Sequence, residues 1–226
     1  MDATISDTHE SGPSKAPSRQ PPVTPRGART RAALISAART VFERDGYLDT
    51  KLADITKEAR CAIGSFYTYF ANKEEIFAAV LEQAQEDMMH PGVGRVSNAD
   101  DPYAVLEASN RAYLEAYRRN AKLMALLEQV SHVDPQFRTF RMRRADAFIR
   151  RNARGIADLQ ARGIADPDVD PLLASRALSG MVSRLAYSVF TPGDGEMADS
   201  EPVEFEALVS TVTRLWANAL RFSRQR

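Results

Sequence analysis

Cysteine is almost missing. Cys61 is the one cysteine in 226 residues, so no disulfide can form within the chain, and a reducing compartment suits it. Histidine is nearly as scarce. His9, His90 and His132 are scattered and have no cysteine beside them, which excludes a ligand cluster of metal-site spacing. No apolar run approaches the roughly 20 residues that cross a bilayer. The first residues are polar and rich in Pro and Ser, without the apolar centre of a secretion signal. These absences lead to the expectation of a cytoplasmic protein without metal, cofactor or membrane contact. A Gly-rich phosphate loop, a nucleophile elbow and a recognisable acid/base carboxylate pair are also missing, so the chain is not expected to be an enzyme.

Net charge is absent as well, with 30 Lys+Arg against 30 Asp+Glu. Its distribution is uneven. Between Arg19 and Lys73 lie ten basic residues, Arg19, Arg26, Arg29, Arg31, Arg39, Arg44, Lys51, Lys57, Arg60 and Lys73. Against them stand five acids, Glu43, Asp45, Asp49, Asp54 and Glu58. A basic module on an acidic remainder fits a local contact with a polyanion.

What is present is helical periodicity. With 44% hydrophobic and 27% charged residues the chain has a globular profile. Residues 1–25 are the exception: five prolines among Ser, Thr and charge predict a disordered tail. That tail is either inert or a basic arm that meets phosphates or a minor groove. From Pro25 or Arg26 to Asp45, Ala33, Leu34, Ala37, Ala38, Val41 and Phe42 recur at helical spacing, and Gly46 ends the helix. A second helix is predicted over Leu52–Ala59, a turn at Arg60-Cys61, and a third short helix over Ala62–Tyr69. So short a helix needs neighbours to hold it, and Phe66 and Phe70 supply the buried side. Ile63, Ser65, Tyr67, Thr68 and Tyr69 then face outward, where they can meet phosphates or base edges. Asn72-Lys73-Glu74-Glu75 is the capped start of a fourth helix, which runs to about Pro91-Gly92.

Residues Thr30–Leu81 resemble the N-terminal domain of the TetR family of transcriptional repressors. The likeness rests on Ala38, Phe42 and Gly46-Tyr47, on Asp54-Ile55 and Ala59, on Gly64-Ser65-Phe66-Tyr67 with Phe70, and on Asn72-Lys73-Glu74-Glu75. It implies a helix-turn-helix at 26–72 that binds double-stranded DNA through Thr50, Lys51, Ala62, Ile63, Gly64, Ser65, Tyr67, Thr68, Tyr69 and Lys73. It also implies a helical effector-binding and dimerisation domain at 73–226. Three positions depart from the family pattern. Arg60 stands where the family has Gly, and Lys51 and Ala62 stand where it has a Ser or Thr cap.

The remainder reads as five more helices, giving about nine in an all-α fold. They are predicted at about 101–120, 121–130, 135–162, 171–190 and 203–223. In the third of these, Phe137, Phe148, Gly155 and Leu159 form one stripe, together with Arg141, Arg144 and Asn152, with Arg151 at its edge. The arginines either pair with carboxylates or point into a cavity and receive an acidic ligand. An effector pocket is expected from Asn110, Tyr113, Tyr117, Met124, Phe137, Arg141, Arg144, Phe148, Met181 and Tyr187, large enough for a mostly apolar molecule. The last two helices are apolar over a wide arc and suit a homodimer interface through Leu178, Val182, Leu185, Val209, Val212 and Trp216. Cys61 is expected to be a small buried hydrophobe, with a redox switch as the alternative. The resulting expectation is a homodimeric repressor on a palindromic operator, released by a small molecule. The alternatives are a sensor or carrier with an unused DNA head, and an activator with the same head.

Overall fold

The computed structural model describes residues 24–89, 101–191 and 202–222, and all regular structure among them is helical. The order is α1 (Pro25–Asp49), α2 (Leu52–Glu58), α3 (Ile63–Tyr69), α4 (Lys73–Met89), α5 (Pro102–Arg119), α6 (Ala121–Val133), α7 (Pro135–Ala161), α8 (Pro171–Phe190) and α9 (Phe205–Ala219). The predicted tail up to Val23 and the segment after Met89 lie outside the described residues.

Helix starts follow one local rule. Asp101, Asp134 and Asp170 each precede a proline, and each carboxylate accepts a backbone N–H of the first turn at 2.9, 2.7 and 2.7 Å. Proline at the first helical position loses no hydrogen bond there and its φ is already helical. Thr24-Pro25 repeats the device for α1, with the Thr24 hydroxyl accepting from the Gly27 N–H at 3.1 Å. Gly46 breaks α1 with φ 80°. Only glycine adopts that angle without strain.

The head packs α1 on α2 and α4, while α7 lies between α6 and α8 and α5 against α9. One apolar core runs from Leu34 to Phe222. Its aromatic joint connects head and body. The Phe77 ring of α4 lies 4.9 Å from Phe42, 4.7 Å from Tyr47 and 5.1 Å from Phe137 of α7. The Tyr47 hydroxyl donates to Glu74 at 3.0 Å and so ties the end of α1 to the start of α4. No described helix is long and apolar enough to cross a membrane.

Candidate nucleic-acid interface and the cavity behind it

The turn between α2 and α3 explains how so short an element is aimed. Cys61 N–H reaches back to the Thr56 carbonyl at 3.0 Å and Arg60 N–H to Lys57 at 3.1 Å. This is the double bond pattern that closes a helix through a left-handed residue. That residue is Arg60, with φ 52°. The side chain at Cys61 is half-buried, and burial pushes its thiol up, away from an activated thiolate. α3 is then fixed by two fully buried rings, Phe66 and Phe70, 5.7 Å apart. Its other side is open. Ile63 is 47% and Tyr67 46% exposed. Ala62, Gly64 and Thr68 are exposed too, and Ser65 and Tyr69 are half-buried.

In the same head, Arg26, Arg29, Lys51, Lys57 and Arg60 are exposed. None of them pairs with a carboxylate of the described residues. Other head cations are occupied. Arg44 is held by Asp45 at 2.8 Å and faces Glu58 at 3.7 Å. Arg31 lies over the Phe70 ring at 5.2 Å.

Two residues expected at the phosphates point elsewhere. Thr50 is 3% exposed and its hydroxyl donates to the Gly46 carbonyl. It therefore closes the kink after α1 and does not cap α2. Lys73 donates from Nζ to the carbonyls of Tyr47, Leu48 and Thr50 at 2.8, 3.2 and 3.2 Å. Those three acceptors saturate the ammonium. At α2, Asp54 accepts from the Lys51 N–H at 3.3 Å, which leaves the Lys51 side chain outward. At α4, Asn72 accepts from the Glu75 N–H at 2.8 Å as expected, while the Glu75 carboxylate reaches Ala71 N–H at 2.6 Å.

Behind the head, α5, α7, α8 and α9 enclose a cavity of about 570 Å³. Leu106, Ile149, Ile156, Leu159 and Val182 supply apolar wall, and Arg144, Arg151, Asn152 and Ser179 supply polar wall. Phe148 stands edge-on to Tyr113 at 5.5 Å. Burial pushes the Tyr113 phenol up, and the Arg144 guanidinium beside it pulls the other way. Asn152 donates to the Ser179 hydroxyl at 3.0 Å, and Asn110 to Thr213 at 3.2 Å.

Residues 34–80 match the model of the family described as "Bacterial regulatory proteins, tetR family". The chain is 33% identical over 121 residues to the HTH-type transcriptional regulator HbdR of Aromatoleum sp. (strain CIB), a stretch covering 48% of this chain and 52% of that one. Over a longer stretch it is 21% identical to the regulator EthR of Mycolicibacterium smegmatis, covering 87% of this chain and 92% of EthR. The structure of Salmonella enterica GusR superposes with a TM-score of 0.68 at 21% identity, covering 88% of this chain and 98% of GusR.

Residues 34–80 carry the TetR-family domain.

The chain has the all-α fold of these proteins with a helix-turn-helix, and the curated relatives it matches are HTH-type transcriptional regulators. Of the residues expected at its pocket, Asn110, Tyr113, Arg144 and Phe148 line the cavity. Six others do not. Phe137 is 1% exposed in the aromatic joint with Phe77 and Tyr47, and Met124 and Tyr117 are packed at 5% exposure. Arg141 lies outside and pairs with Glu128 at 2.6 Å. Met181 and Tyr187 pack half-buried against the core. Sequence reasoning left out Arg151 and Asn152 as pocket residues although it placed them on or beside the right stripe of α7. The helical register puts Leu106 on the same side of α5 as Asn110 and Tyr113, whereas nothing in the sequence singles out Ser179.

The expected dimer residues are corrected most. Val182, Val209, Val212 and Trp216 are 4, 1, 0 and 6% exposed within one chain. Val182 and Trp216 line the cavity. Leu178 and Leu185 pack half-buried on the core. The open faces of these helices carry instead Leu173 and Ala177 on α8, and Thr211, Leu215 and Asn218 on α9.

Proposed function

We propose that this protein is a ligand-responsive regulator of transcription that acts in the cytoplasm as a homodimer on a palindromic DNA operator, in the repressing sense. The observation that carries this reading is α3: a helix locked from behind by Phe66 and Phe70 and open in front, in a head whose Arg26, Arg29, Lys51, Lys57 and Arg60 are exposed. Such a helix enters a major groove. Gly64 and Ser65 let the backbone approach base edges, and Ile63 meets a thymine methyl. Lys51, Ala62, Tyr67, Thr68 and Tyr69 fix register on the phosphates.

Two copies joined through the outer faces of α8 and α9 set their α3 helices about one helical turn of DNA apart, or a multiple of it. An effector in the cavity stabilises a dimer whose heads have the wrong separation. Release needs only different effector affinities in the two states. The head at 26–72 is the reading unit, and 73–226 the unit that senses and pairs. Activation uses the same head at a different place relative to a promoter. A carrier with an idle head gives no reason for an exposed Ile63–Tyr67 face in a head with exposed cations.

The experiment is operator affinity against salt. Binding falls steeply as salt rises. Tyr67→Ala weakens it by about tenfold or more, and Lys51→Ala reduces the salt slope by about one ion. Unchanged affinity in both variants contradicts the assignment.

A further inference from the structure

Two arginines of α7 line the cavity, and both also hold the far end of α4. Arg144 donates from Nη2 to the Met88 sulfur at 3.0 Å, and Arg151 from Nη1 to the Met89 carbonyl at 2.6 Å. A thioether is a weak acceptor for a guanidinium. The Met89 carbonyl is one of the last in α4, where a cation is favoured by the helix dipole. Both guanidiniums sit near the Phe148 ring, 5.6 and 5.1 Å from its centre.

Neither arginine pairs with a carboxylate of the described residues. Arg144 Nε is buried without any partner, and so is Trp216 Nε1 in the same cavity lining. Burial pulls the Arg151 guanidinium down, with Tyr113 opposing. The one carboxylate of the lining, Asp158, is already paired with Arg162 at 3.4 Å, and both are largely exposed. The cavity is thus apolar over most of its wall and has a surplus of donors and positive charge. Both arginines are half-buried, and a partly desolvated cation without a counter-charge gains from a carboxylate that supplies charge-assisted bonds.

We infer that the effector is an amphiphilic monocarboxylate, and that its carboxylate draws Arg144 and Arg151 away from Met88 and Met89 and so frees the last turn of α4. The inference rests on reading the cavity as the effector site. Its consequence follows from the other end of α4, where Lys73 and Glu74 grip the chain around Tyr47. A helix released at one end and clamped to the head at the other changes how the head is held.

The test uses the full chain with decanoate and decan-1-ol, matched in length and differing in charge, below micelle-forming concentrations. Calorimetry is expected to give decanoate at least about tenfold tighter binding than the alcohol. Hydrogen exchange at residues 84–89 is expected to rise with decanoate and not with decanol. Arg144→Met and Arg151→Met should each remove most of the preference for the acid. Gly155→Leu is a filled-cavity control. A Cβ added there meets nothing within 4 Å, and leucine favours the helix, so the variant is expected to fold and to lose both probes.

Equal or tighter binding of the alcohol overturns the inference, as does binding of neither probe, or unchanged exchange at the end of α4. Two outcomes separate it from the functional reading. If both probes bind alike and both release DNA, the cavity remains the effector site and the anion inference falls. If decanoate binds through the arginines and loosens α4 while DNA affinity stays constant, the anion site stands and ligand-responsive regulation falls.

Discussion

At the scale of single residues, this head departs from its family where backbone geometry is tightest. Arg60 has φ 52° in a turn whose hydrogen bonds call for a left-handed residue. A side chain there costs about 1–2 kcal/mol. Glycine returns part of that gain as unfolded-state entropy, about 0.5–1 kcal/mol. Arg60→Gly should therefore stabilise the protein by about 0.5–1 kcal/mol, read as a shift of the urea midpoint at constant m-value. The same variant removes an exposed cation from the head, so its operator affinity should fall while its stability rises. Lys73 is the opposite case, a cation turned to structural use. Lys73→Met orphans three carbonyls around the kink after α1 and should destabilise the fold by about 1–3 kcal/mol. It should leave the salt slope of DNA binding unchanged, in contrast to Lys51→Ala. A reduced slope in Lys73→Met would mean that its ammonium does meet phosphate.

At the scale of elements, helix positions were legible in the sequence because their starts are chemical. Asp-Pro and Thr-Pro pairs mark α1, α5, α7 and α8, and Asn72 marks α4. Side-chain destinations along α7 were legible only in part. At about 1.5 Å per residue this helix passes more than one neighbour. Its stripe faces the cavity at Arg144, Phe148, Asn152, Gly155 and Leu159. The same stripe faces the head at Phe137 and the surface at Arg141. Periodicity finds a face but not the neighbour it meets. The same limit misplaced Val182 and Trp216, since an apolar arc on α8 or α9 serves an inner cavity as well as a partner.

The α4–α5 junction yields a prediction in pH. Burial alone would raise the Asp87 carboxyl, but hydrogen bonds from Arg119 and Asn120 outweigh it and hold it below the usual carboxylate range. A depressed folded value stabilises above the unfolded value, near pH 4, and that stability is lost as pH falls through the folded value. Asp87→Asn should be less stable than the parent at pH 7. The gap should narrow as pH drops below about 4, followed by thermal unfolding across the series. A gap independent of pH would show that the carboxylate's charge contributes nothing.

At the scale of the whole molecule, the proposed function uses two surfaces of the described residues, the α3 face and the outer sides of α8 and α9. Leu215 is 45% and Leu173 64% exposed, with the small residue Ala177 on the same α8 face as Leu173. Small residues let helices approach closely, as a symmetric four-helix contact requires. Leu215→Glu should convert dimer to folded monomer in light scattering and abolish operator binding, while Tyr67→Ala should weaken binding by about tenfold or more and leave the dimer intact. If Leu215→Glu stays dimeric, the pairing surface lies elsewhere.

The central claim is that α3 reads a defined DNA sequence in pairs. Selection of the full chain against a pool of random duplexes tests it most directly. The account predicts enrichment of one palindrome, lost when the pool is selected with the Tyr67→Ala variant. A pool that stays random, or that enriches equally with Tyr67→Ala, would contradict it.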